Sequence, residues 1–340
     1  NEGKLTCDGI ITGSVSNEGG TFAMSGKTLG NVIQKAGTIN ISGGTVTQSC
    51  MVEGGTLFMS EGMVADIVQE GGTVDVKDGT VTGGCTVEGG LFVLSGGTVD
   101  GILQKGGTIY ADGGNLPNGC VIEGGVCSVS GGTVGGLQQK AGQVNITGGA
   151  VSTGCTIENG GFVLEGGTAD SITQKGGTVT VTGGTVPDGC IVEGGKLKVS
   201  GGTLRAGNHD AALMVNCREA ASAEAGAVTA ENADVYVTGG VILGDGADKS
   251  AIQPVSGTIL IAENGNMAVK ADQVFHTVRT DKGGDRWAVR YTSDHGEDCI
   301  MSADSPSVIY VTRPDPDGMV QLRRLSDDFF FAAQAEDGDV

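Results

Sequence analysis

Valine, isoleucine, leucine and methionine recur along most of the chain at every second position in short bursts, separated by glycine pairs. In the stretch 71–88, GGTVDVKDGTVTGGCTVE, Val74 and Val76 alternate with Thr73 and Asp75, the period of a strand with one buried face. Val81, and then Cys85 with Val87, continue the inward series on two further strands. The following stretch, 89–105, GGLFVLSGGTVDGILQK, repeats the scheme with one residue fewer. Each stretch therefore predicts one coil of three short strands joined by glycine corners, and two coils make a 35-residue unit.

The unit repeats without insertion. Cys50, Cys85, Cys120, Cys155 and Cys190 are each 35 residues apart, and Glu18, Glu53, Glu88, Glu123, Glu158 and Glu193 keep the same period. Gln34, Gln69, Gln104, Gln139 and Gln174 form a third series about halfway between. Stacking the coils predicts inward ladders: Phe22, Leu57, Phe92, Cys127, Phe162 and Leu197 share one position, and Met24, Met59, Leu94, Val129, Leu164 and Val199 share another. The predicted fold class is all-β, a parallel β-helix or β-solenoid of about 17.5 residues per coil, with a right-handed winding expected. Eleven to twelve coils fit before Arg205. At about 4.8 Å per coil they form a rod roughly 50–60 Å long.

The pattern divides the chain into residues 1–206, the regular solenoid; 207–233, a transition or capping segment; 234–331, irregular β coils or a small β cap; and 332–340, an acidic tail. Around Ala211, Ala212, Leu213, Met214 and Val215 the composition suits a turn-and-helix cap or a widened coil. Strand-like runs return at 234–237, 258–261, 287–291 and 307–311. A cap has a physical purpose, because an open solenoid end exposes unpaired strand edges.

Composition changes this picture little but excludes partners. Of 340 residues 64 are glycine, which suits three tight corners per coil better than an ordinary core. A formal charge of −20 opposes binding to nucleic acid or an anionic membrane, and no apolar run is long enough to span a bilayer. The chain opens on Asn1-Glu2-Gly3-Lys4, so any export signal is expected to have been removed already.

Candidate chemistry is sparse. Successive periodic cysteines stand two coils, roughly 9–10 Å, apart, too far for a disulfide. They read as buried free thiols interleaved with Ile67, Ile102, Leu137 and Ile172, while Cys217 and Cys299 lie outside the repeat and can pair or stay free. The glutamates alternate with Lys35, Lys105, Lys140 and Lys175, broken only by Glu70, which reads as a charge ladder along one corner and not as a catalytic carboxylate pair. Thr28, Thr45, Thr80, Thr98, Thr133, Thr168, Thr185 and Thr203 form an outward series interrupted by Met63, Asn115 and Ala150, which weakens an ice-binding reading. His209, His276 and His295, with the stretch 281–287 (DKGGDRW), are the groups left for ligand contact, and ordinary turn chemistry explains them as well. No zinc spacing, calcium nonapeptide, phosphate loop or nucleophile elbow is present, so no catalytic, cofactor or metal site is expected.

The motif Val52-Glu53-Gly54-Gly55-Thr56, with Val192-Glu193-Gly194-Gly195, resembles the strand-loop-strand repeats of AIDA-type autotransporter passenger domains over about the first three fifths of the chain. The resemblance implies a right-handed β-helix serving as a stalk or adhesin on a bacterial surface. The short coils, the periodic cysteines and the lack of a visible anchoring β-barrel depart from that family. The expected function is thus a non-enzymatic, extracellular or cell-surface stalk or adhesin-like protein that meets a host or bacterial ligand, glycan or protein. The alternatives are a phage or secretion-device fibre, or a carbohydrate-active or ice-binding solenoid.

Overall fold

A computed structural model describes residues 3–7, 9–205 and 207–208, and beyond them strands at 211–215, 234–243, 250–254, 258–261, 267–270, 273–275, 309–311 and 320–324. The chain is an all-β parallel solenoid of about 12 turns, and no helix occurs in its regular part. Each turn presents three faces. In one turn these are the strands Thr73–Val76, Thr80–Val81 and Cys85–Val87; in the next they are Leu91–Leu94, Thr98–Val99 and Ile102–Gln104. Each strand pairs in parallel with its counterpart one turn on, so that Phe92 stands beside Val74 and Ile109, and Ile102 beside Cys85 and Cys120. In the early turns strand pairing runs through the corners, giving the long strands Thr38–Val52 and Thr56–Gln69.

The core is five stacked columns of side chains, two on the first face, one on the second and two on the third. On the first face Phe22, Ile39, Leu57, Val74, Phe92, Ile109, Cys127, Val144, Phe162, Val179 and Leu197 form one column, every member at most 2 % exposed. The predicted ladders are therefore continuous, with each coil contributing one member. Burial of each aliphatic side chain stabilises by roughly 1.5–3 kcal/mol. The gain is shared between adjacent coils, as expected of a quasi-one-dimensional stack.

The difference between 18- and 17-residue coils lies at a single corner, between the second and third faces. Val81 and Cys85 are joined by Thr82-Gly83-Gly84, whereas Val99 and Ile102 are joined by Asp100-Gly101. The pattern holds along the rod: a three-residue corner precedes Cys50, Cys85, Cys120, Cys155 and Cys190, and a two-residue corner precedes Ile67, Ile102, Leu137 and Ile172. The same coils differ two residues later. Those with cysteine carry Val52, Val87, Ile122, Ile157 and Val192, and those with isoleucine or leucine carry Gln69, Gln104, Gln139 and Gln174, all buried. The bulkier pair thus occupies the coil with the shorter corner. Alternating bulky and slim layers match the alternating corner length, and the members of both columns are buried in each of these coils.

Ala211–Val215 is a strand, not a helix: Leu213 pairs with Cys190 and extends the cysteine–isoleucine column. The Ala- and Leu-rich composition that suited a helix is overridden by the open edge of the last regular coil, which offers ladder partners to an extended segment. The parallel stack continues through Asp234–Leu243, which pairs with Lys196–Arg205, and through Ser250–Pro254, Thr258–Ile261, Met267–Lys270 and Gln273–Phe275. Val320–Arg324 then pairs antiparallel with both Met267–Lys270 and Ile309–Val311. The strand-like run at 287–291 lies outside the described residues.

Candidate functional surface

The corner after the third face carries the charge ladder. Lys35 Nζ lies 2.9 Å from Glu18 Oε1, Lys105 Nζ 2.9 Å from Glu88, and Lys140 Nζ 3.0 Å from Glu123, so three rungs close as ion pairs between adjacent coils. The Lys35 partner, with help from Ser16, holds the Glu18 carboxyl below its ordinary range. The Glu158 carboxylate instead accepts a hydrogen bond from Gln138 Nε2 at 2.8 Å. Glu53, Glu70 and Glu88 follow one another on three consecutive coils, and neither Glu53 nor Glu70 makes an ion pair among the described residues.

The threonine series occupies one outward column on the second face: Thr28, Thr45, Met63, Thr80, Thr98, Asn115, Thr133, Ala150, Thr168, Thr185 and Thr203 are in register. Second-face strands in the regular coils are two residues long, so each presents one outward side chain. Thr82 lies in the next corner, and a second outward file, Thr21, Thr38, Thr56 and Thr73, runs on the first face until Leu91 interrupts it, so the hydroxyls form two broken files on different faces.

The five periodic thiols are free and buried, as are Cys7 and Cys127. Burial pushes the Cys50 and Cys190 thiols up to about 12, and those of Cys85 and Cys155 higher still. The neighbouring Cys127 thiol together with burial raises Cys120 well above the ordinary value. Thiols held protonated in this way are poor nucleophiles and poor metal ligands. They serve as slim core filler.

Sequence reasoning recognised the glutamine series as periodic but did not place it in the core. Gln34, Gln69, Gln104, Gln139 and Gln174 are fully buried. Each donates from Nε2 to the carbonyl of a corner glycine three residues on and to a carbonyl 22 residues on. For Gln104 these are Gly107 at 3.1 Å and Val126 at 2.9 Å. Asn17, at the equivalent position in the first coil of the series, donates instead to two carbonyls of the next coil, those of Ala36 and Thr38. The side chain therefore fastens the corner to the coil above it, at the cost of a buried Oε1 with no partner in any of the five glutamines. The signal that could have exposed the role is that Gln replaces Val or Ile at an inward position in alternate coils.

A hollow with room for about 450 Å³ opens at the corner of alternating length, over the coils from Ser49 to Val121. It exists because that corner is built from Gly83-Gly84, Gly101 and Gly119, whose missing side chains leave the backbone recessed. Asp66 and Asp100 stand on its rim, with Asn118 Nδ2 donating to Asp100 Oδ1 at 3.0 Å. Its floor is the outward column of the third face, where Val68, Thr86, Leu103 and Val121 are in register and half-buried. The insertion-free repeat did not suggest any recess.

Among the described residues no group of three or more metal-ligating side chains converges, and no helix is long and apolar enough to cross a membrane. His209, His276, His295, Cys217, Cys299 and the stretch 281–287 lie outside the described residues. Comparison of the chain with protein-family models, curated proteins and solved structures finds no match.

Proposed function

We propose that the chain is a non-enzymatic spacer or adhesive shaft exposed on the surface of a bacterium. The observation that carries this reading is the unbroken stack: from Thr21 to Arg205 the same three-faced cross-section recurs, with corners of two or three residues. Catalytic and recognition residues usually sit on loops that bulge from a rigid scaffold. A rod without such loops suits reach. Because each coil contacts only its neighbours, its length grows by duplication of a 35-residue unit with no new fold.

The resemblance of the V-E-G-G-T motif to AIDA-type autotransporter passengers supports the surface role. Recognition of a host or bacterial ligand, glycan or protein, then belongs to regions beyond the regular coils. No cofactor is needed. The test is to label intact cells expressing the natural gene with an antibody against the rod, before and after external protease. Surface labelling that the protease removes is expected. Labelling only after cell lysis would overturn the location, and polysaccharide turnover by the purified chain would overturn the non-enzymatic reading.

A further inference from the structure

At the recessed corner shape, apolar surface and uncompensated charge coincide. Its volume, about 450 Å³, is that of a small-molecule site. Its floor is the column Val68, Thr86, Leu103 and Val121, apolar apart from the Thr86 hydroxyl. Asp66 and Asp100 sit two coils apart on one edge, a separation of roughly 10 Å. At the opposite corner of the same face stand Glu70 and Glu88, of which Glu88 is matched by Lys105. Asp66 and Glu70 have no cationic partner among the described residues. The ladder elsewhere alternates in sign, and its one fault, Glu70, falls on the coil that also carries Asp66 and Val68.

An anionic ligand is opposed by every carboxylate around this hollow. A compact metal ion would leave the apolar floor unused and would need oxygens closer together than carboxylates two coils apart. A neutral sugar would leave Asp66 and Glu70 unmatched. We propose that the hollow binds a linear aliphatic polyamine, whose ammonium groups meet Asp66 and Asp100 while the alkyl chain between them crosses Val68, Thr86 and Leu103. Such a ligand matches the fixed spacing of the carboxylates with a flexible chain. Charge-assisted N–H···O contacts orient it at each end, and methylene burial on the floor adds to affinity. The site is independent of the shaft role: the rod can serve as a spacer whether or not the hollow is filled, and the ligand would bridge three coils at the point where the charge ladder is out of phase.

The experiment is titration calorimetry of the full chain with spermidine, repeated with hexylamine and with magnesium chloride at matched ionic strength, alongside amide NMR shifts. Spermidine is expected to bind at one site, to shift amides at 66–70, 83–86, 100–105 and 118–121, and to outcompete both controls. The double substitution Asp66→Asn with Asp100→Asn keeps side-chain shape and should weaken binding at least tenfold. Glu165→Gln with Asp170→Asn removes the same charge elsewhere and should leave it unchanged. Leu103→Lys, at an outward position, should abolish binding while the circular dichroism spectrum is retained. Equal loss in the two double variants, magnesium binding as well as spermidine, or amide shifts spread along the whole rod would each overturn the proposal in favour of diffuse attraction to an acidic protein. An oligolysine peptide binding at the hollow where spermidine does not would overturn it in favour of a polypeptide partner.

Discussion

Replacing Gly90 by alanine tests the stacking at a point where backbone lies close against backbone. Gly90 holds φ at +79°, in the left-handed region, and an added Cβ would overlap the carbonyl oxygen of Gly72 and stand 2.7 Å from the carbonyl carbon of Gly71, one coil below. Two costs combine. An alanine in that conformation is unfavourable by roughly 1–2 kcal/mol, and relieving the overlap means moving backbone against backbone, a further 1–3 kcal/mol of the kind seen in overpacked cores. Gly90→Ala should therefore destabilise by roughly 2–5 kcal/mol. Gly101 provides the control: its φ lies outside the left-handed region and its nearest neighbours would be 3.4 Å from a Cβ. Gly101→Ala should be within about 0.5 kcal/mol of the parent protein, or slightly stabilising through loss of chain entropy in the unfolded state. Urea denaturation followed by circular dichroism gives both values, and amide hydrogen exchange should show the loss centred on residues 71–107. If Gly90→Ala and Gly101→Ala had the same midpoint, the coil-on-coil register described here would be wrong.

The thiols predict a pH dependence. Cys50 and Cys190 ionise near 9 when unfolded but only near 12 when folded, so their contribution is complete below about pH 9 and is lost as pH rises towards 12. The loss is on the order of 1 kcal/mol per thiol per pH unit; a urea midpoint unchanged from pH 8 to pH 11 would contradict their burial. In native protein the five periodic thiols should not react with a thiol reagent, and unfolded protein should expose them all. Glu70→Lys restores alternation between Glu53 and Glu88 and should leave the melting temperature unchanged or slightly higher; a clear fall would argue against the ladder. Gln104→Ala should cost roughly 2–5 kcal/mol through lost contacts and a cavity. Gln104→Leu should stay within about 1.5 kcal/mol of the parent, because two lost hydrogen bonds are offset by removal of an orphaned Oε1; equal melting of the two variants would mean that Gln104 does not fill the core.

The columns were legible because the repeat admits no insertion. A constant 35-residue offset places Phe92 in the column of Leu57, two coils on, without any need to locate the corners independently. Other features resisted the same reading for identifiable reasons. Gln104 is polar, and an inward glutamine is recognisable only once the geometry shows corner carbonyls within reach of its Nε2. The hollow beside Asp66 comes from small differences in corner length and from glycines with no side chain, features that look like ordinary turns in a sequence. At Ala211–Val215 local propensity pointed to a helix, while the decisive influence was a distant one, the unpaired edge at Cys190–Val192. The influence of Cys127 on Cys120 was hidden because the two residues belong to different faces of the solenoid.

The claim that the chain is a modular rod is tested most directly by deleting one whole unit, residues 124–158, which joins Glu123 to Asn159 in the register that the repeat itself supplies. Small-angle X-ray scattering of the parent and the deletion variant should show the same cross-section, with the longest dimension shorter by roughly 10 Å, the rise of two coils. A variant that unfolds, or that folds with an unchanged length, would contradict the account.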